Sequence, residues 1–475
     1  MLTGLRSPNG RRQLGAFYTP PPIVRSMVAW ALAHGPARFV DPGCGSGRFC
    51  AEAVRRQPNL AIVAVDVDPL ATLSTRAVLA ILGAEQARVL NADYTTLELE
   101  PIDGRTAFVG NPPYVRHHDL TARQKAWAKS AARALGLSLS GLAGLHVYFF
   151  LATLRQTRSG DVGCFITSAE WLDVGYGSAL RSALVDGLGG VALHLLNPQS
   201  VTFEDAMATA VVTCFEPGNL SPLVRIRSVD SAGELGDLAS SIQFVVTRAQ
   251  LQQATRWTPL FQPARPARSE PRVRLGELVR VSRGAVTGAN EFFVLDREEA
   301  QQLGLTRYTV PALTRAQEVF TADGIVHLTP TRRLLLDPPA RLRLDATTHR
   351  CLWEYLARGE ATGVADGYIC SHRNPWWHVG ARQPPVVATY MARQPPAFAL
   401  NPDGLAILNV LHGLYPRVEL DEEQLRGLVR YLNAHRAELR GGGRTYQGGL
   451  EKFEPGEMEA IPVPPADRLR DWAGG

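Results

Sequence analysis

The sequence predicts an α/β chain whose first half is a doubly wound parallel sheet and whose second half is a mixed α+β domain. Three observations predict it. Short apolar strands alternate with helix-period segments through the first hundred or so residues, each strand closes on a polar or glycine-rich tip, and beyond about Leu275 the pattern shortens to small strands and turns. A chain of 475 residues is long for one domain and comfortable for two. The expected division is a first domain at 1–245, a basic, proline-rich linker at 246–285 and a second domain at 286–475.

Each element has a local reason. Gly15 to Pro22 leads into a helix from Ile23 to Leu32, with Thr19 as a natural N-cap and prolines admissible in the first turn. Arg38-Phe39-Val40-Asp41 reads as a strand that runs into Pro42-Gly43-Cys44-Gly45-Ser46-Gly47 and then a helix through Val54. Glycines let a ligand approach the backbone, and the helix start offers free N–H groups and partial positive charge. The turn is not G-x-G-x-x-G and no Gly-Lys-Ser/Thr phosphate loop occurs, which disfavours dinucleotides and nucleoside triphosphates. A second strand, Ala61 to Val65, ends in Asp66-Val67-Asp68-Pro69, placing an acid where it can accept from a ribose diol. A third, Ala87 to Tyr94, ends near Asp93, a carboxylate suited to an amino group. The fourth enters from Thr106 and carries Asn111-Pro112-Pro113-Tyr114.

That tetrapeptide holds the most specific chemistry. Consecutive prolines forbid helix and strand alike, so the backbone leaves the sheet as a rigid, extended loop. It presents the Asn111 amide, the Pro112 carbonyl and the flat ring of Tyr114. Two acceptors and a π-face suit a planar ring bearing an exocyclic NH2. Each oxygen takes one N–H, which draws the nitrogen lone pair out of conjugation, and a stacked base contributes roughly 1–3 kcal/mol. Taken alone the tetrapeptide is also compatible with an ordinary proline-braced strand exit; four polar tips in order tell against that.

Composition sets outer bounds. With 45% hydrophobic and 20% charged residues the chain is globular. A net charge of +5 and a pI near 8.9 favour a polyanionic partner only mildly. Lys125, Lys129 and Lys452 are the only lysines, so the positive charge is almost all arginine. This fits a coding bias as well as bidentate contacts to phosphate or guanine. Cys44, Cys50, Cys164, Cys214, Cys351 and Cys370 form no C-x-x-C pair, so neither a disulfide frame nor a metal site is expected. No signal-peptide pattern or apolar run of about 18 residues appears, and the expected location is the cytoplasm, away from membranes.

The ordered set of motifs resembles the gamma-ordered N6-adenine DNA methyltransferases of restriction–modification systems. Those motifs are Thr19-Pro20-Pro21, Asp41-Pro42-Gly43-Cys44-Gly45-Ser46-Gly47, Val65-Asp66-Val67-Asp68-Pro69, Asn91-Ala92-Asp93 and Asn111-Pro112-Pro113-Tyr114. The resemblance implies a Rossmann-like methyltransferase domain, S-adenosylmethionine as methyl donor and double-stranded DNA as substrate, and it allows a separate restriction endonuclease as partner. Carried over by position, Thr19, Asp41, Pro42, Gly43, Cys44, Gly45, Gly47, Asp66, Asp93 and Asn111 contact the cofactor. Asn111, Pro112, Pro113 and Tyr114 hold the target adenine, and Phe203 sandwiches it against Tyr114. No general base is needed, because positioning a nucleophilic amine in line with a sulfonium supplies most of the acceleration. The family often carries Asp ahead of Leu-Tyr at a helix start; here the stretch is Leu145-His146-Val147-Tyr148, a departure on the cofactor side. Protein-glutamine and guanine-specific RNA methyltransferases carry a similar tetrapeptide and are the alternative, but they usually lack a large C-terminal domain of this kind. A scaffolding subunit with a vestigial cofactor fold is the reading from another class, and the intact tetrapeptide argues against it.

The remaining expectations are structural. Arg116-His117-His118 opens a cationic, mobile loop through about Leu139, on the substrate side. Leu145 to Gln156 reads as a core helix, Val162 to Thr167 as a buried strand, and Thr209 to Phe215 as an alternating strand. Gly284 to Phe293 reads as a glycine-punctuated hairpin, and Trp376 and Trp377 as packing residues. The second half resembles the target-recognition domain of the same class, with Arg444, Tyr446 and Lys452 in a glycine-rich stretch suited to DNA. DNA is expected in a cleft between the two halves. No fused endonuclease constellation stands out.

Overall fold

The computed structural model describes residues 19–475 except 197–208, 230–231, 237, 239–242, 262–271, 331, 393, 440–441, 447–449 and 475. The chain divides into two compact units, Met1–Arg265 with Thr445–Gly449, and Pro266–Arg444 with Leu450–Gly475.

The first unit is built on a nine-stranded sheet in the order β3-β2-β1-β4-β5-β7-β6-β8-β9. The strands are β1 Arg38–Pro42, β2 Ala61–Asp66, β3 Arg88–Asn91, β4 Thr106–Gly110, β5 Val162–Ser168, β6 Gly190–Leu196, β7 Ala210–Phe215, β8 Leu223–Val229 and β9 Phe244–Thr247. From β3 to β5 the pairing is parallel, and β7 runs antiparallel to both β5 and β6. Parallel strands need helices on both faces, and the side chains show it. Phe39, Ile62 and Val109 point to a core shared with helices α1 (Pro21–Leu32), α2 (Arg48–Arg56) and α3 (Pro69–Ile81). Their neighbours Val40, Val63 and Phe108 point to the opposite core, shared with α4 (Ala122–Ala134) and α5 (Leu145–Gln156). The alternation is the period-two consequence of strand geometry.

Sheet order reverses at β1, which has β2 on one side and β4 on the other. The carboxyl ends of β1 and β4 at such a reversal are where doubly wound folds bind ligands. Two expectations change within this unit. β7 is buried at all six positions, because it lies between β5 and β6 with both faces covered, so its pattern is continuous and not alternating. The stretch expected as a mobile loop contains α4, a 13-residue helix closed by a Thr121–Gln124 capping box that buries Ala128, Ala131 and Ala132.

The second unit holds an antiparallel sheet of β10 (Val279–Arg283), β11 (Val386–Thr389), β12 (Phe398–Leu400) and β13 (Leu411–Pro416), ordered β10-β13-β11-β12. Helix α6 (Glu422–Ala434) lays Leu428, Val429, Tyr431 and Leu432 over Val281, Val386, Phe398 and Leu414. A second small sheet joins Val294–Leu295, Leu334–Leu336, Thr309–Leu313 and Ala406–Ile407. The expected hairpin at 284–293 is instead a turn into one helical turn, Asn290–Phe293, because Phe292 and Phe293 are both buried, with Phe292 stacked on Tyr355 at 4.6 Å. Trp376 and Trp377 pack against the same cluster. The stretch expected as a linker supplies core to both units: Val246, Leu251, Trp257 and Phe261 to the first, and Leu275, Leu278, Val279 and Val281 to the second. Its apolar residues are spaced among arginines, which gives a polar average to a segment with buried anchors.

Gly163 shows how tightly the first unit is packed. It faces Phe215 across β5 and β7, and a Cβ built there would lie 2.0 Å from the Phe215 ring, which itself packs on Phe150 and Phe165. Gly163→Ala is expected to destabilise the protein by about 1–3 kcal/mol through overpacking, read as a lower midpoint in urea. An unchanged midpoint would show that the Phe215 ring moves aside freely.

Candidate active site

The turn after β1 is held open by backbone bonds. Gly43, Gly45 and Gly47 all have positive φ (75°, 52° and 75°), which only glycine adopts without strain. The Gly43 and Cys44 N–H groups donate to the Val65 carbonyl at 2.8 and 2.9 Å, joining the turn to the end of β2. Gly45 N–H donates to Asp66 Oδ2 and Asp68 N–H to Asp66 Oδ1, each at 2.9 Å. Asp66 is therefore oriented by two backbone donors, and burial still raises its pKa above the usual carboxylate value. Two accepted bonds leave lone pairs on the same carboxylate for further donors. From α3 the Thr75 hydroxyl donates to the Gly45 carbonyl at 3.1 Å. Cys44 is buried in the turn, and burial pushes its thiol pKa well up.

Asp41 sits deeper. It is fully buried, and the Cys50 thiol donates to its Oδ2 at 3.3 Å. Oδ1 has no hydrogen-bond partner among the described residues. Burial, and next to it the charge of Asp66, push the Asp41 carboxyl up to about 7, while the Cys50 bond works against the rise. At the end of β4, Gly110 allows this approach, since a Cβ there would lie 3.0 Å from Asp41 Oδ1 and 3.2 Å from the Pro42 carbonyl.

The Asn111 loop lies against the turn. The Cβ position of Gly43 is 3.6 Å from Pro113 Cδ and 3.8 Å from the Asn111 carbonyl oxygen. Asn111 Nδ2 donates to the Thr19 hydroxyl at 3.1 Å, and Arg48, the first residue of α2, donates to the Thr19 carbonyl at 3.0 Å. Thr19 thus serves the site and not the helix: α1 begins at Pro21, with Pro20 in the cap position and no side-chain capping bond. Pro112 is buried and Pro113 partly so. The Tyr114 hydroxyl donates to the Ile166 carbonyl of β5 at 3.4 Å, and burial raises its pKa, so the phenol stays protonated.

Other expected residues have local partners or fall outside the described residues. Asp93 lies two residues beyond β3, and its Oδ1 accepts from Thr95 N–H and Thr95 Oγ1 at 2.9 and 2.7 Å, which fixes a local turn. Phe203 falls outside the described residues. His146 is buried in the first turn of α5, edge-on to Tyr176 at 6.4 Å, and burial lowers its pKa to about 4, so it is neutral. In the second unit Lys452 pairs with Glu454. Arg48, Thr75 and Gly110 are the contributors that sequence reasoning left unassigned. Their partners lie 29 to 69 residues away, so no local pattern could reveal them. No described group of three or more His, Cys, Asp or Glu residues could hold a metal ion, and no described helix is long and apolar enough to cross a membrane.

The buried carboxyl has a pH signature. Its pKa in the fold, about 7, stands above the usual 3.8, so between those values the folded protein keeps a proton that the unfolded chain releases. Stability is therefore lost as pH rises through that window, on the order of 4 kcal/mol over three pH units. Asp41→Asn removes the titration. The variant's stability relative to the parent, from urea melts at a series of pH values, is expected to increase from about pH 4 to about pH 7 and then level off. A difference independent of pH would mean that the carboxyl is ionised throughout.

Residues 84–187 match the family model described as Eco57I restriction-modification methylase, and residues 261–472 match the Type II methyltransferase M.Eco57I, C-terminal domain. The chain is 44% identical over 471 residues to Type II methyltransferase M.XamI of Xanthomonas campestris pv. amaranthicola, covering 98% of this chain and 88% of that protein. It is 23% identical over 468 residues to Type II methyltransferase M.AccI of Acinetobacter calcoaceticus, covering 94% and 85%. Among solved structures, the Type IIL restriction-modification enzyme MmeI, determined in complex with DNA, has a similar fold, with TM-score 0.57 and 14% identity over 91% of this chain and 63% of that longer one. The glycine turn, the Asn111 loop and this near full-length identity together make the chain a member of the Type II methyltransferase family of restriction–modification systems.

Proposed function

We propose that the protein transfers a methyl group from S-adenosylmethionine to the N6 amino group of an adenine flipped out of duplex DNA. The observation that supports this reading is the contact of the Asn111 loop with the glycine turn, with the Asn111 amide tied to Thr19. The donor set suits the cofactor. Nothing lies within 4 Å of a Cβ built on Gly45, so the turn opens onto space, and Asp66 keeps acceptor capacity for a ribose diol. Asp41 supplies a buried carboxyl, whose ionised form a cationic ligand nearby would favour. When bound, S-adenosylmethionine supplies an electrophilic methyl group on a cationic sulfur.

The chain's own residues do the rest. The Asn111 side-chain oxygen and the Pro112 carbonyl each accept one N–H of the adenine amine, keeping its lone pair out of the ring and directed at the methyl group. The Thr19 bond fixes the amide so that its nitrogen faces Thr19. Tethering the Tyr114 hydroxyl to β5 fixes the ring edge, and its face stacks on the base. Phe203 is the proposed second face of that sandwich. Flipping costs a few kcal/mol, which stacking and the two accepted hydrogen bonds offset. Double-stranded DNA is then the substrate, and a separate restriction endonuclease the partner in the same system.

Removing the Asn111 amide in Asn111→Ala is expected to lower turnover by about 10²–10³ or more, with S-adenosylmethionine affinity by calorimetry within a few-fold of the parent. Labelled cofactor with duplex DNA, total RNA and protein extract should place label on DNA as N6-methyladenine. Near-normal turnover by the variant removes the role given to Asn111, and label on RNA or protein alone removes the substrate.

A further inference from the structure

The helix that follows the Asn111 loop carries unbalanced positive charge on its outer face. Lys125, Lys129 and Arg133 of α4 recur every fourth residue, so they form one stripe with a rise of about 6 Å between neighbours. Arg123 flanks the stripe, and Arg155 of α5 lies over the Trp127 ring at 6.0 Å. Between Val115 and Leu139 the sole carboxylate is Asp119, and α4 itself has none. Among the described residues Arg116, Arg123, Lys125, Lys129 and Arg133 enter no ion pair. Two of the chain's three lysines lie in this stripe, although arginine serves nearly everywhere else.

Like charges at i and i+4 repel along a helix, so the stripe is unfavourable until an anion faces it. What keeps it in place is the capping box at Thr121 and the buried alanine face. The helix is also tied to the site. Trp127 packs on Tyr148 of α5 at 6.3 Å, and Leu145 N–H, at the start of α5, donates to the Val115 carbonyl directly after Tyr114.

We infer that the α4 stripe is a phosphate-contact surface that grips one strand of duplex DNA beside the Asn111 loop. The grip depends on charge and not on base sequence. This inference rests on DNA being the substrate, as proposed above, and adds the element that holds its backbone. Extended polyanions match it because their charges repeat, as the cations of the stripe do, whereas a single small anion would engage one of them.

The test is a triple variant, Lys125→Gln with Lys129→Gln and Arg133→Gln, which keeps good helix formers at each position. Binding of a fluorescent duplex is measured over a salt series for parent and variant. The slope of log affinity against log salt is expected to become shallower by about 0.9 for each phosphate that the variant leaves unneutralised, roughly 2–3 in all. Affinity should fall to a similar extent for methylatable and unrelated duplexes. Cofactor affinity and the site of methylation should not change, and KM for DNA should rise while kcat at saturating DNA holds. Should the triple variant fail to fold, Lys129→Glu alone should still flatten the slope, and Lys125→Arg with Lys129→Arg should retain it. Slope and affinity equal to the parent's overturn the inference. A parent protein that neither binds nor methylates duplex DNA removes the substrate reading itself, which distinguishes the two failures.

Discussion

One hydrogen bond, from the Asn111 side-chain amide to the Thr19 hydroxyl, joins residues 92 positions apart and depends on the elements that bring them together. β1 must lie beside β4, the glycine turn must leave room for Pro113, and α2 must bring Arg48 to the Thr19 carbonyl. A proline-braced loop has few conformations to lose, so fixing it costs little entropy. The residual freedom is the rotation of the amide, and Thr19 removes it. The geometry of the acceptors is in this way a property of the whole parallel sheet and not of the loop alone.

Beneath that contact lies an expense of a different kind. Asp41 is buried with Cys50 as its hydrogen-bonding neighbour, and a carboxyl so placed destabilises the fold at neutral pH. Packing on both faces of the sheet is dense enough to tolerate it: β1 and β4 are buried at every position, and aromatic side chains such as Phe108, Phe150, Phe165 and Phe215 fill the core behind the crevice. Polar groups under-satisfied in a well-packed surround are typical of places where a ligand completes the set.

The sequence was most legible where chemistry and backbone demand coincide. Asp41, the glycine turn, Asp66 and Asn111-Pro112-Pro113-Tyr114 stand out in the sequence because glycine, proline and acid at strand ends each have one dominant physical reason, and the sheet brings them near one another. Thr19 was placed in the right neighbourhood with the wrong local duty, since a threonine ahead of prolines reads as a cap until a distant amide claims its hydroxyl. Residues 246–285 misled through averaging, because Trp257 and Leu275 anchor cores amid arginines that dominate the composition. Continuous burial of β7 and the helical turn at Asn290–Phe293 depend on neighbours far away in sequence, which periodicity does not contain.

The folded state of α4 bears on speed as well as affinity. A segment already helical, capped and packed before any partner arrives has its ordering entropy settled during folding. Encounter with a polyanion is then limited by diffusion and by long-range attraction, both fast and both sensitive to ionic strength, with no slow ordering step between collision and capture.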